Sequence, residues 1–140
     1  ERMGDDARAF FALAFMMDQS FPLLYTGQEA GIDFRFPFFS KDTVGVNWST
    51  NTDHADFYAS LFELKHNHPA LWNGAYGGEM TLNTDTVTNT VMISRTLGED
   101  TVNGYFAFGG GEVVVGEDAG ELVVAIHGAK IYTKTLAAIE

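Results

Sequence analysis

Cysteine is absent from the 140 residues, proline occurs three times, and eight lysines and arginines stand against nineteen aspartates and glutamates. Without cysteine the chain forms neither a disulfide nor a thiolate metal site, and the redox state of its compartment stays open. A net charge of −11 with no basic cluster is a poor match for phosphate backbones or anionic membrane surfaces, so neither nucleic acid nor a membrane is an expected partner. Apolar runs are short as well. The longest, residues 9–17, is half of what a membrane-spanning helix needs, roughly 18 to 20 residues.

What is present is unevenly distributed. Ten of the twelve phenylalanines and all three prolines fall in residues 1–72, whereas valine, isoleucine and threonine make up 21 of the 68 later residues against 7 of the first 72. β-branched enrichment marks residues 73–140 as strand-rich. Charge does not follow this division: five basic residues face ten acidic ones before residue 73, and three face nine after it.

In the first part, Asp5 and Asp6 precede the apolar run 9–17, which predicts a helix capped by a carboxylate that accepts its first free amides. That helix is apolar nearly all round, so it needs cover on more than one side and should be adhesive without it. Asp18, Gln19 and Ser20 break it. Residues 21–25 (FPLLY) read as a buried parallel strand, with Pro22 tolerated at its start, and the strand empties into a glycine-bracketed polar loop, TGQEAG. Residues 32–51 are irregular and aromatic-rich, a long packed loop. A second helix starts near residues 53–56, shows Phe57, Tyr58, Leu61, Phe62 and Leu64 at helical spacing, and ends at Asn67 and Pro69.

Beyond Trp72, six short strands are predicted at 79–82, 87–95, 101–108, 112–115, 121–126 and 130–135, separated by glycine and Asx turns. Six such strands suggest a small antiparallel β-sandwich.

Four stretches carry a family resemblance: ERMGDDARAF at the start, FPLLYTGQEAG at 21–31, DFRFPFFSKDTVGVNW after it, and LFELKHNHPALWNGAYGGE beyond. Together they resemble the closing section of an α-amylase-family glycoside hydrolase, closely to about Glu79 and more loosely afterwards. The resemblance implies an α/β then all-β chain: the incomplete terminal section of a TIM (β/α)8 barrel in residues 1–72, followed by an all-β C-terminal domain in 73–140. A whole barrel takes roughly 250 residues, and the chain opens on Glu1 with helical pattern at once, so a C-terminal piece of a longer protein is expected. The parent would act on α-1,4-glucans by a retaining mechanism. Its nucleophile Asp, acid/base Glu and transition-state-stabilising Asp belong to strand ends four, five and seven, all before Glu1. No catalytic residue therefore carries over, and the chain alone should be inactive. What carries over to the sugar-facing loop is Tyr25, Gln28 and Glu29, with Arg35 in the segment that follows. No cofactor is expected on this chain, calcium use by the parent is left open, the expected partner is an α-glucan reached through the parent barrel, and the parent's compartment is unknown, a secreted or periplasmic one being compatible.

The residues read on their own give plainer alternatives. Glu29 is the one carboxylate in strand-end context, with Asp33 four residues on, whereas a retaining glycosidase needs a carboxyl pair roughly 5 to 5.5 Å apart; a group that accepts backbone amides in a tight turn is the favoured reading. Phe34, Phe36, Phe38, Phe39 and Trp48 could stack on glucose rings but read first as packing. His66 and His68 lie at a helix end, where C-terminal capping suits them better than zinc binding. Asn47, Trp48 and Ser49 match a glycosylation triplet that arises by chance, and 109–111 is a hairpin turn without the lysine of a phosphate loop. Two other classes remain: a glucan-binding module in the β-rich half, thinly supplied with Tyr76, Tyr105 and Tyr132, and a structural module whose Phe-rich helix is a partner interface.

Overall fold

The computed structural model describes residues 3–25, 27–32 and 52–135. Two helices lie on one face of an antiparallel sheet, and their apolar residues form one core with it. Helix α1 (Ala7–Met16, ARAFFALAFM) is built from good helix formers without a β-branched residue. Ala9, Ala12, Phe15 and Met16 are buried, Phe10 stacks on Phe108 with ring centroids 4.3 Å apart, and Phe11 meets Tyr58 edge-on at 4.9 Å. The cover expected for this apolar helix thus comes from within the chain, from the sheet on one side and helix α2 (Thr52–Asn67) on the other. In α2, Phe57, Tyr58, Leu61 and Leu64 are buried at helical spacing, and the chain leaves it through His68 and Pro69 as predicted.

The N-terminal cap is a correction. Asp6 occupies the cap position, but its carboxylate makes no capping bond. Instead Oδ2 accepts the Gly109 N–H at 2.9 Å, which ties the start of α1 to that sheet turn, and Oδ1 lies 3.3 Å from His127 Nε2 at a second turn. His68 is a second correction. Its Nδ1 lies 2.7 Å from Asp100 Oδ1, and Asp100 Oδ2 accepts the Ala70 N–H at 3.0 Å, so the ring latches the exit of α2 to the start of a strand rather than capping the helix.

The sheet has five strands, β1 (Glu79–Asp85), β2 (Thr90–Leu97), β3 (Asp100–Ala107), β4 (Glu121–Ile126) and β5 (Ala129–Thr135), in the order β1-β2-β3-β5-β4 with every pair antiparallel. Turn chemistry sets the hairpins. Asp85 Oδ1 accepts the N–H groups of Val87 and Thr88 in the β1–β2 turn, and Gly128 takes φ +79° in the tight β4–β5 turn, a conformation that favours glycine. The central strand β3 is buried on both faces. Val102 and Phe106 join the helix-facing core, whereas Asn103 and Tyr105 lie under the β3–β4 connection, where Asn103 Nδ2 donates to Ala119 O at 2.9 Å.

The strand expected at 112–115 fails: its side chains are strand-like, but it joins no ladder among the described residues, and a strand exists through its neighbour's backbone. Residues 21–25, expected to pair within a barrel, join no ladder of this sheet. The expected sandwich is consequently one sheet among the described residues, its second face covered around Asn103 and Tyr105 by connecting chain. Residues 34, 36, 38, 39 and 47–49 lie outside the described residues.

Arg95, on β2, is fully buried and among the described residues has no carboxylate bonded to it. Its guanidinium donates to three backbone carbonyls: Nε to Gly78 at 3.1 Å, Nη1 to Met16 at 3.1 Å and Nη2 to Trp72 at 2.7 Å. Burial draws its pKa below the ordinary arginine value, partly countered by the charge of Asp18. Beside it, Lys65 Nζ donates to Leu71 O at 2.7 Å and to Asn73 Oδ1 at 3.1 Å, and the Trp72 indole N–H returns a bond to Lys65 O at 2.9 Å. Glycines make room for this clasp. A Cβ at Gly77 would strike the Trp72 carbonyl, and one at Gly104 would strike the Met16 sulfur where α1 crosses β3.

Arg95→Met leaves three carbonyls without a donor and should lower the unfolding free energy by about 3 kcal/mol, read as a shifted urea midpoint at unchanged slope. A shift corresponding to less than about 1 kcal/mol would mean that water satisfies those carbonyls and the clasp is dispensable.

Candidate functional site

The glycine-bracketed loop is a locked turn. Gly27 and Gly31 take φ of +96° and +68° on either side of the 3-10 turn Gln28–Ala30, the left-handed conformations that favour glycine. Backbone bonds close it: Gln28 N–H to Tyr25 O at 3.0 Å, Ala30 N–H and Ile32 N–H to Gly27 O at 3.1 Å each, and Gly31 N–H to Gln28 O at 3.0 Å. A side chain at Gly27 would also press on Ile32, whose Cδ1 would lie 2.9 Å from the added Cβ.

Gln28 holds this turn from both sides. Its Oε1 accepts the Tyr25 N–H at 2.6 Å, and its side chain also hydrogen-bonds the Tyr58 hydroxyl on α2. Burial raises the Tyr58 pKa above the ordinary tyrosine value; the Gln28 bond and the Arg8 charge oppose the rise, and the Glu29 charge adds to it. The phenol is thus a neutral hydrogen-bonding group through the physiological range.

Next to the turn lies an open cleft of 360 Å³, lined among others by Asp5, Arg8, Gln28, Ile32, His54 and Tyr58. Of the four residues expected to face sugar, Gln28 lines this cleft. Tyr25 and Glu29 stand on the same turn but outside the lining, Tyr25 exposed and Glu29 half-buried, and Arg35 lies outside the described residues. Among the described residues no three His, Asp or Glu side chains gather around a point where a metal ion would fit. Among the described residues one carboxylate, Asp5, lines the cleft, whereas retaining glycoside hydrolysis takes two. The described walls carry an amide, a phenol, an imidazole and a guanidinium, which offer hydrogen bonds to a polyhydroxylated or anionic guest.

No protein-family model matches this chain, and no curated protein matches it.

Sequence reasoning did not connect Arg8, His54 and Tyr58 to the loop. Tyr58 was grouped with the apolar stripe of α2, yet a tyrosine where phenylalanine would pack as well signals a hydroxyl that needs a partner. That partner is Gln28. Arg8 and His54 carry no comparable signal, because their approach to the loop depends on how α1 and α2 pack.

Tyr58→Phe should lower stability by about 1 kcal/mol through the lost bond and remove one late-titrating phenol from the tyrosinate absorbance at 295 nm. The sign follows from the raised folded pKa: the stabilisation is complete below the unfolded tyrosine value, about 10, and is lost as pH climbs through the higher folded value. An unchanged late limb in the variant would contradict the burial and bonding assigned to Tyr58.

Proposed function

We propose that this chain is the C-terminal portion of an α-amylase-like glycoside hydrolase, acting on α-1,4-glucans by a retaining two-carboxylate mechanism whose catalytic residues lie before Glu1. In this reading residues 21–25 are the last strand of a (β/α)8 barrel, the 27–31 turn stands at the sugar site, and the sheet covers the outside of the barrel. Gln28 would shape the rim, with Tyr58 holding it in place, rather than take part in bond cleavage.

The observation that carries the proposal is the apolar segment leading into the locked turn. Phe21 and Leu23 are 85% and 73% exposed, and the alternation of exposed and half-buried residues through 21–25 supports a strand that neighbouring barrel strands would cover. The sequence resemblance of the same stretch supports the reading independently of the exposure.

A second reading has its own support. Trp72 and Tyr76 are exposed four residues apart, and the Trp72 indole is held in place by its bond to Lys65 O, which suits a rigid stacking platform for a glucan in a non-catalytic module.

The deciding experiment translates the source reading frame upstream of the Glu1 codon and assays its full product. The proposal expects at least roughly 180 further residues, the rest of a barrel of about 250, starch hydrolysis with retained anomeric configuration by proton NMR, and no hydrolysis by the 140-residue chain alone. A start codon within a few residues of Glu1 would overturn it. Retardation of the 140-residue chain in starch-containing gels, lost in Trp72→Ala, would then favour the binding module.

A further inference from the structure

We propose that the free edge of β4, together with the groove between it and α2, takes up an extended cationic peptide as a sixth strand of the sheet. The proposal stands apart from the glycosidase reading and rests on different residues.

β4 is an outer strand. Its inner edge pairs with β5, and no backbone hydrogen bond beyond that ladder involves residues 121–126 among the described residues. Proteins usually blunt such an edge with charges, proline or a covering segment. β4 reads ELVVAI: one charge at its start, then five apolar residues, with Leu122 and Val123 48% and 42% exposed. A bulge interrupts the ladder at Val123, and pairing then resumes from Val124 to Ile126 against Ile131, Lys130 and Ala129. The edge is therefore usable on both sides of one irregular residue.

The space beside the edge has the form a strand requires. Two depressions of 350 and 220 Å³ meet at Ser60, Val123 and Val124 and together run along α2. Phe57, Leu64 and Val124 supply an apolar floor. The helix wall carries Asp53, Asp56 and Glu63, spaced by three and seven residues and so on one face. These three carboxylates are exposed and form no ion pair among the described residues.

Charge identifies the guest. A second copy of this chain would bring its own carboxylates and a net charge of −11 against the same wall, which opposes edge-to-edge pairing. Arg8 lines one end of the groove but lies over the Phe57 ring, 5.6 Å from its centroid. A peptide with lysine or arginine at alternate positions would turn its cations to the helix side of the sheet, where their alkyl stems cross the floor and their charges reach the wall, turn its other side chains to the opposite face, and lay its main chain on β4. Six residues of β4 span roughly 20 Å, which sets a guest of about six or seven residues.

The test titrates the 140-residue chain into a fluorescein-labelled heptapeptide alternating lysine and valine, followed by fluorescence anisotropy. The proposal expects saturable one-to-one binding that weakens with added salt, and protection of β4 amides from hydrogen exchange in the complex. Methylating alternate backbone nitrogens of the peptide keeps its charge but removes its main-chain donors, and should weaken binding at least roughly tenfold. The triple variant Asp53→Asn, Asp56→Asn, Glu63→Gln changes exposed side chains only and should weaken it by a similar factor. Equal affinity of the methylated peptide, unchanged affinity of the triple variant, or no binding at all would overturn the proposal. So would a peptide-free dimer that protects the β4 amides, which would assign the edge to a second copy.

Discussion

The structure turns on one buried cation. Taking a guanidinium out of water is costly unless its hydrogen-bonding potential is met, and Arg95 meets it with carbonyls rather than with a carboxylate. The three acceptors come from separate places in the chain: the last residue of α1, the connection after α2, and the residue just before β1. Met16 contributes a carbonyl from the C-terminal turn of a helix, where acceptors lack intrahelical partners and the dipole favours a positive charge. A single side chain therefore fixes where α1 ends on the sheet and how the chain passes from helices to strands. Gly77, Gly78 and Gly104 are the complement of that arrangement, since a side chain at any of them would fill space needed by the clasp or by the crossing of α1 over β3.

The remaining ties between helices and sheet lie at its turns. Asp6 reaches Gly109 and His127 from the start of α1, and His68 with Asp100 holds the exit of α2 against the start of β3. The Lys65 and Trp72 exchange fixes the connection between them. With α1 tied at both ends and α2 at its exit, the cleft that they share with the 27–31 turn acquires a supported base. Gln28 then needs only two hydrogen bonds to hold the turn in place, one to its own backbone neighbour and one to Tyr58. The chain of dependence runs from Arg95 through helix placement to the cleft.

Local rules made much of this legible. Helical spacing in residues 57–64 located α2, its end at Asn67 and Pro69 followed from helix stop signals, and the Asx and glycine turns placed the five observed strands to within three residues at each end. Gly27 and Gly31 marked the turn correctly because a left-handed backbone leaves a compositional trace. What the sequence concealed depends on partners distant along the chain. Residues 112–115 have the valines of a strand but no neighbour to pair with among the described residues. Asp6 stands at a cap position, yet its oxygens go to turns about a hundred residues away. Arg95 is the clearest case: an arginine on an antiparallel strand reads as a surface residue, and nothing local says that Met16, Trp72 and Gly78 will converge on it. Tyr58 was half legible, its burial visible in the pattern and its hydroxyl left unexplained.

The central claim is that helices and sheet form one cooperative unit held at Arg95. Native-state hydrogen exchange measures this directly, amide by amide. The account predicts that the slowest amides of α1, α2 and β3 open with the same free energy and the same denaturant dependence, as parts of a single unfolding unit. Helix amides that exchange through a much cheaper opening while the strands stay protected would contradict it, because the helices would then be leaving a sheet that stands without them.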